Sequence, residues 1–203
     1  MPITSLSPPQ ATFVESTAKE SWLYGGLGCG KSTAGAIALR KRAWREYTAL
    51  PAQTVRLLLL APKDFLLDYM LGCLELPHRT SDWPGPTKVI ALNERLAIAV
   101  GTYKHAERLL TAPRYNGAWL DALEHAPQPE RVLEQTRLRL RDGSGFLLVT
   151  AGPGSARVDH LRHPDAAITC ASTSSNPCLD SEYVAKLVQD WKEGCTSGED
   201  TSR

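Results

Sequence analysis
The sequence predicts an α/β fold: a mostly parallel central sheet with helices on both faces. Short, nearly continuous apolar runs such as Val55-Arg56-Leu57-Leu58-Leu59-Leu60 have the length and composition of strands covered on two sides. Between them lie longer segments in which apolar residues recur at helical spacing. A glycine-rich stretch, residues 25–30, joins the first strand to the first long helix, giving a strand–loop–helix order.

The elements follow from local chemistry. Ser5 to Gln10 is punctuated by Pro8 and Pro9, and Ala11 to Ser16 has room for a helical turn or two. Ser21 to Tyr24 reads as a short strand, Lys31 to Tyr47 as a helix, and Thr54 to Ala61 as a buried strand. Lys63 to Leu76 has a helical pattern through Phe65, Leu66, Tyr69, Met70 and Leu74, and is stopped by Pro77. Pro84-Gly85-Pro86 makes a loop. Val89 to Leu92 and Leu96 to Val100 flank Asn93-Glu94 as two strands joined by a tight turn. Tyr103 to Leu110 is a short helix, and Gly117 to Leu120 is a brief strand ending in Asp121. Pro129 to Arg141 is a helix with Val132, Leu133, Thr136 and Leu140 on one side and arginines on the other. Phe146 to Thr150 and Ala167 to Thr169 are further strands. Asp180 or Ser181 caps a helix through Trp191, and Gly194 to Arg203 is a small, polar tail. The division expected is an N-terminal segment, 1–20, a main domain, 21–193, and the tail, 194–203.

A length of 203 residues, 42% hydrophobic and 22% charged, suits one substantial α/β domain. A formal net charge of +1 argues against a strongly basic coat for nucleic acid but leaves room for local patches. No apolar run reaches membrane-span length, and the first ten residues lack a signal-peptide layout, so no membrane is expected. The five cysteines, at 29, 73, 170, 178 and 195, form no C-x-x-C pair, and the histidines show no ligand spacing. Neither a zinc site nor a disulfide framework is indicated, and a reducing interior fits best.

Gly25-Gly26-Leu27-Gly28-Cys29-Gly30-Lys31-Ser32 fits the phosphate-binding P-loop, or Walker A, pattern G-x-x-x-x-G-K-[ST]. Glycines let the backbone bend around an oxyanion, and the helix that follows directs its positive end at the same place. Lys31 then reaches the β- and γ-phosphates of ATP, and Ser32 is the inner ligand of Mg²⁺, with Thr33 beside it. Such a loop needs a carboxylate at the end of a neighbouring strand, the Walker B position, and Asp121 supplies one. ATPases with an extra strand between the two motifs follow that Asp with a glutamate that orients water. Here the next residue is Ala122. Glu124 is the nearest remaining carboxylate, two positions further on. Thr150, at a strand end, stands where such folds put a γ-phosphate sensor.

Together these motifs resemble the ATPase domain of the large terminase subunit, the DNA-packaging motor of tailed bacteriophages. The likeness runs from about Ser5 to Lys192 and comes in family order. Pro9-Gln10 resembles the early glutamine that contacts adenine, and Tyr24 to Ser32 the family's P-loop. Trp119-Leu120-Asp121-Ala122-Leu123-Glu124-His125-Ala126-Pro127 is similar to its second motif, typically D-E-A-E-H and a proline. Leu148-Val149-Thr150-Ala151-Gly152-Pro153 resembles the coupling motif. Ser175-Asn176-Pro177-Cys178-Leu179, followed by Glu182-Tyr183-Val184, is similar to the family's Asn-Pro-x-Leu and its helix. The resemblance implies a P-loop NTPase of the ASCE, RecA-like type, using ATP and Mg²⁺ as cofactors. It departs from the family at Leu27, where many terminases carry arginine, and at Ala122, in place of the catalytic glutamate. The clustered carboxylates of the family's nuclease domain are absent, so an isolated motor domain is expected.

The resemblance also implies a homo-oligomeric ring on a capsid portal, a small terminase subunit as partner, double-stranded DNA gripped by its phosphates, and the host cytoplasm as location. An arginine from the next subunit completes many ring motors, and Arg108 and Arg114 are the candidates. Arg40, Lys41, Arg42 and Arg45, or Arg137, Arg139 and Arg141, are expected on exposed helix faces, from which DNA phosphates are within reach. Hydrolysis is expected to be impaired at Ala122. Two rival readings stand beside the motor: an assembly module that binds ATP without hydrolysing it, and a P-loop kinase, which the lack of an arginine-rich lid disfavours.

Overall fold
Ser7 starts the first helix by capping it. The computed structural model describes residues 5–74, 79–81, 88–111, 114–140, 145–153, 155–186 and 189. In it Ser7 and Gln10 form a reciprocal capping box for α1, Pro8–Glu15, which begins at the prolines rather than at Ala11. The strands are β1, Glu20–Gly25; β2, Val55–Ala61; β3, Arg79–Ser81; β4, Lys88–Asn93; β5, Leu96–Thr102; β6, Gly117–Leu120; β7, Phe146–Ala151; and β8, Ala167–Ala171. The remaining helices are α2, Lys31–Ala49; α3, Asp64–Leu74; α4, Ala106–Leu110; α5, Pro129–Arg139; and α6, Ala156–Asp159. Residues 181–186 are also helical.

One eight-stranded sheet holds them, in the order β3-β4-β5-β2-β6-β7-β1-β8. From β8 to β5 every neighbour is parallel, while β4 pairs with β5, and β3 with β4, antiparallel at one edge. The extra strand is β7, which lies between β1, leading into the glycine loop, and β6, leading into Asp121.

Both faces of the central strands β1, β2, β6 and β7 are covered. Leu57 and Leu59 of β2 join a core with Phe13, Leu39 and Met70 under α1, α2 and α3. Leu58 and Leu60 turn the other way, toward Tyr103, Leu109 and Leu133 under α4 and α5. The period-two geometry of a strand thus puts leucine on both sides, which is why the run is continuous. Gly35 lets α2 lie directly on β6, since a Cβ there would sit 2.2 Å from the Trp119 ring.

Several boundaries differ from the sequence reading. On α3 the buried residues are Leu67, Met70 and Leu74, while Phe65 and Tyr69 are exposed. A 3₁₀ turn, Tyr103–His105, precedes α4, and α5 ends at Arg139. The strand β3 and the four-residue α6 were not anticipated. Arg42, expected on an exposed face, is buried: its guanidinium donates to the carbonyls of Ser16 and Ala18 and to the Ser21 hydroxyl. Burial depresses its pKa to about 10, with Arg45 adding to the effect. Arg137 is likewise engaged, donating to both oxygens of Glu20 at 2.8 and 3.0 Å. Pro77, the Pro84–Pro86 loop, Arg141, the helix beyond Gln189 and the tail from Gly194 lie outside the described residues.

Candidate nucleotide-binding site
Five parallel strands deliver the site to one edge of the sheet. β1, β2, β6, β7 and β8 all end there, and the loops that follow them surround a cavity of about 950 Å³. Gly25, Leu27, Gly28, Gly30, Lys31, Ser32 and Thr33 line it from the glycine loop and the start of α2. Asp121, Ala122 and Glu124 line it from the loop after β6.

The glycine loop is held from behind by its carbonyls. Thr173 Oγ1 donates to Leu27 O at 2.7 Å, Asn176 Nδ2 to Gly28 O at 2.7 Å, and Gln10 Nε2 to Cys29 O at 2.8 Å. Because each peptide is planar and trans, a carbonyl fixed outward sends the next residue's N–H the opposite way. Gly28 and Gly30 have φ of 77° and 79°, the left-handed geometry that lets successive N–H groups converge on an anion. Lys31 Nζ donates to the carbonyls of Gly25 at 2.6 Å and Gly26 at 2.9 Å, which places a cation at the mouth of this loop.

Ser32 and Asp121, 89 positions apart, meet across the cavity: the serine hydroxyl lies 3.1 Å from each carboxylate oxygen. Thr150 Oγ1 donates to Asp121 Oδ1 at 2.6 Å and accepts from the Ala122 N–H at 3.1 Å. Thr150 is fully buried and does not line the cavity, so its hydroxyl holds the carboxylate instead of facing a phosphate. Tyr103 donates to the Asp121 carbonyl at 2.7 Å. Burial drives the Asp121 carboxyl up, with the charge of Glu124 adding to it; the bonds from Thr150 and Ser32 and the charge of Lys31 only partly oppose the rise. The residues fit Mg²⁺. One carboxylate and one hydroxyl converge beside a phosphate-shaped loop, and Mg²⁺ takes its other ligands from phosphate oxygens and water. Among the described residues no cluster of three metal-ligating side chains competes with this pair.

Several expected site residues lie elsewhere. Gln10 is buried, and its amide is taken up by the Ser7 N–H at 2.7 Å and the Cys29 carbonyl, so it supports the loop and does not line the cavity. Cys29 is buried within the loop and Gly26 is set back from the wall. Arg108 and Arg114 are exposed and away from the cavity. Ala122 does line it, in a left-handed conformation with φ 49° and ψ 55°, a strain of about 1 kcal/mol for a residue with a Cβ.

Sequence reasoning missed one wall. Pro62, Lys63, Phe65, Leu66 and Tyr69 come to the cavity from the end of β2 and the first turns of α3, and Thr33 bonds Tyr69 at 2.9 Å. The signal was topological: in an open parallel sheet, ligands sit outside the carboxyl ends of the strands, and β2 ends here too.

The fold decides the comparison with solved structures. The large terminase of a thermophilic bacteriophage superposes with a TM-score of 0.64 at 11% identity, over 90% of this chain and 50% of that one. The ATPase domain of the Thermus phage P74-26 large terminase gives 0.54 at 13% identity, over 95% and 88%. The fold is that of a phage large-terminase ATPase domain. The helicase domain of Pyrococcus furiosus Hef gives 0.52 at 12% identity, over 80% and 37%. The first of these terminases has also been solved in complex with ADP. This chain spans half the length of that terminase. No protein-family model matches the sequence, and no curated protein matches it. Within the terminase-like fold, the glycine loop follows the strand beside β7 and Asp121 follows the strand on its other side.

Proposed function
We propose that this chain is an ATP-hydrolysing motor domain that drives double-stranded DNA into a viral capsid. The observation that carries the reading is the meeting of Lys31, Ser32 and Asp121 around one cavity, on a sheet whose solved neighbours are terminase and helicase domains. Mg²⁺ held by Ser32 and Asp121 would neutralise charge on the phosphate oxygens. Lys31 and the loop N–H groups of Gly28 and Gly30 bind and orient the β- and γ-phosphates. Thr150 fixes Asp121. The exposure of Arg108 and Arg114, away from their own cavity, supports insertion of one of them into a neighbour's site in a ring. The ring would sit on a capsid portal in the host cytoplasm, with a small terminase subunit as partner. It would grip DNA by its phosphates, without reading bases.

Ala122 has no group to accept a proton, so turnover is slow relative to a chain with glutamate there. That same residue favours a second reading, an assembly module that binds ATP and does not hydrolyse it. Phosphate release with and without DNA, together with binding of a fluorescent ATP analogue, separates the two. Lys31→Ala is expected to weaken nucleotide binding by at least about tenfold, and Ala122→Glu to raise turnover by about 10²-fold. A native chain that binds no nucleotide sinks both readings.

A further inference from the structure
Glu124 differs from Glu20, the buried glutamate at the start of β1. Glu20 is fully engaged, accepting from Arg137, the Trp22 indole and the His163 N–H. Glu124 has no such company. It sits in the 3₁₀ turn Leu123–His125, and its Oε1 accepts one bond, from the Gly152 N–H just past the end of β7, at 2.8 Å. Its Oε2 is buried with no hydrogen-bond partner. An arginine is at hand, yet Arg157 gives its two nitrogens to the main-chain carbonyls of Glu124 and Pro127, both at 3.1 Å. His125 Nε2 lies 3.8 Å from Oε1 and is the near side chain of opposite potential charge. A glutamate kept for structure would take the arginine, because a buried carboxylate oxygen without a donor is costly.

The carboxylate is placed at the candidate site. Glu124 lines the cavity alongside Lys31, Ser32 and Asp121, and it is close enough to Asp121 to raise that group's pKa. A single neutral donor fixes its direction, and Oε1 keeps a second lone pair with which a water in the cavity can be oriented. We propose that Glu124, anchored by the Gly152 N–H, is the catalytic carboxylate that orients the attacking water in this chain, in place of the one missing at residue 122. The inference rests on the ATPase reading. In the step, the water oxygen bonds to the γ-phosphorus while the bond from that phosphorus to the β–γ bridging oxygen breaks. ADP leaves with the electron pair, and Glu124 takes the water's proton and returns it to solvent.

The test is Glu124→Gln in the full chain, because a glutamine Oε1 still accepts the Gly152 N–H and the fold should be kept. Steady-state phosphate release with Mg²⁺ and ATP is expected to fall by at least about tenfold in kcat, with the Kd for a fluorescent ATP analogue and the Tm unchanged. In an Ala122→Glu background the same change should cost less than about threefold, since the role is then filled. A kcat within about twofold of native, or a loss of nucleotide affinity that accounts for the loss of rate, overturns the inference. A native chain that binds ATP but releases no phosphate also overturns it, and leaves the assembly module standing. A native chain that binds no ATP overturns the ATPase reading itself.

Discussion
Asp121 is a carboxylate in an expensive place. It is only 2% exposed, and burial holds its pKa above the ordinary aspartate value despite two hydroxyl donors and Lys31. The sign of the consequence follows from linkage. A carboxyl raised in the folded state favours folding when protonated, and that contribution is lost as pH rises through the raised pKa. As pH rises through that raised value, ionisation of Asp121 weakens the fold, and a divalent cation beside it would offset the penalty. Asp121→Asn should raise stability at about pH 7 by about 1 kcal/mol, the scale on which removing a functional compromise stabilises a protein. The gain should disappear near about pH 3, where the native group is itself protonated. Urea unfolding at the two pH values reads both outcomes, and equal gains at the two would show that the charge is not the cause. The variant should also lose Mg²⁺-dependent nucleotide binding.

At the scale of elements, α1 acts on the glycine loop. Its Gln10 was expected to touch adenine, because an early glutamine in this position carries that role in the resembling family. The side chain instead bridges the Ser7 N–H and the Cys29 carbonyl. A Cβ on Gly30 would stand 2.3 Å from its Nε2, so the loop and the helix are fitted to each other. Gln10→Ala should weaken nucleotide binding by about tenfold, the equivalent of one buried hydrogen bond. The loss should be the same for ATP and GTP, since a loop support is blind to the base. A loss confined to ATP, measured by competition against a fluorescent analogue, would return the residue to the adenine. The buried parallel strands were legible in the sequence because leucine on both faces leaves an unbroken apolar run, and the bounds of β2 and β6 were read within a residue. The missed elements lacked that signature. β3 is three residues at a sheet edge, Arg79-Thr80-Ser81, and α6 is a single turn. The face of α3 was misjudged because Phe65 and Tyr69 keep helical spacing while pointing to the cavity, so periodicity alone assigns them to the core. Glu124 was visible only as a nearby carboxylate; its bond to Gly152 depends on a contact 28 positions away.

Over the whole molecule the two ends of the sheet have different duties. The end at the candidate site carries strained and unpaired groups, including Ala122 and the Oε2 of Glu124. The opposite edge is tied down by Glu20 at the start of β1. Its carboxylate draws in Arg137 from the last turn of α5, 117 positions away, and the His163 N–H ahead of β8. Burial pushes Glu20 up, but the bonds from Arg137, Trp22 and His163 more than offset it and leave the group below its ordinary value. A carboxyl lowered in the folded state contributes stability that is present above the unfolded pKa and lost as pH falls through the folded one. Glu20→Gln should therefore cost about 2 kcal/mol near neutral pH, the scale of hydrogen bonds to a charged group. The difference should narrow in acid, below about pH 4, where the native carboxyl loses its charge. Because β1 separates this anchor from the glycine loop at its far end, nucleotide Kd and kcat should be unchanged at temperatures where the variant is folded. Thermal unfolding across pH, paired with phosphate release, tests the separation. A fall in kcat without a fall in stability would mean that strain at one end of β1 is felt at the other.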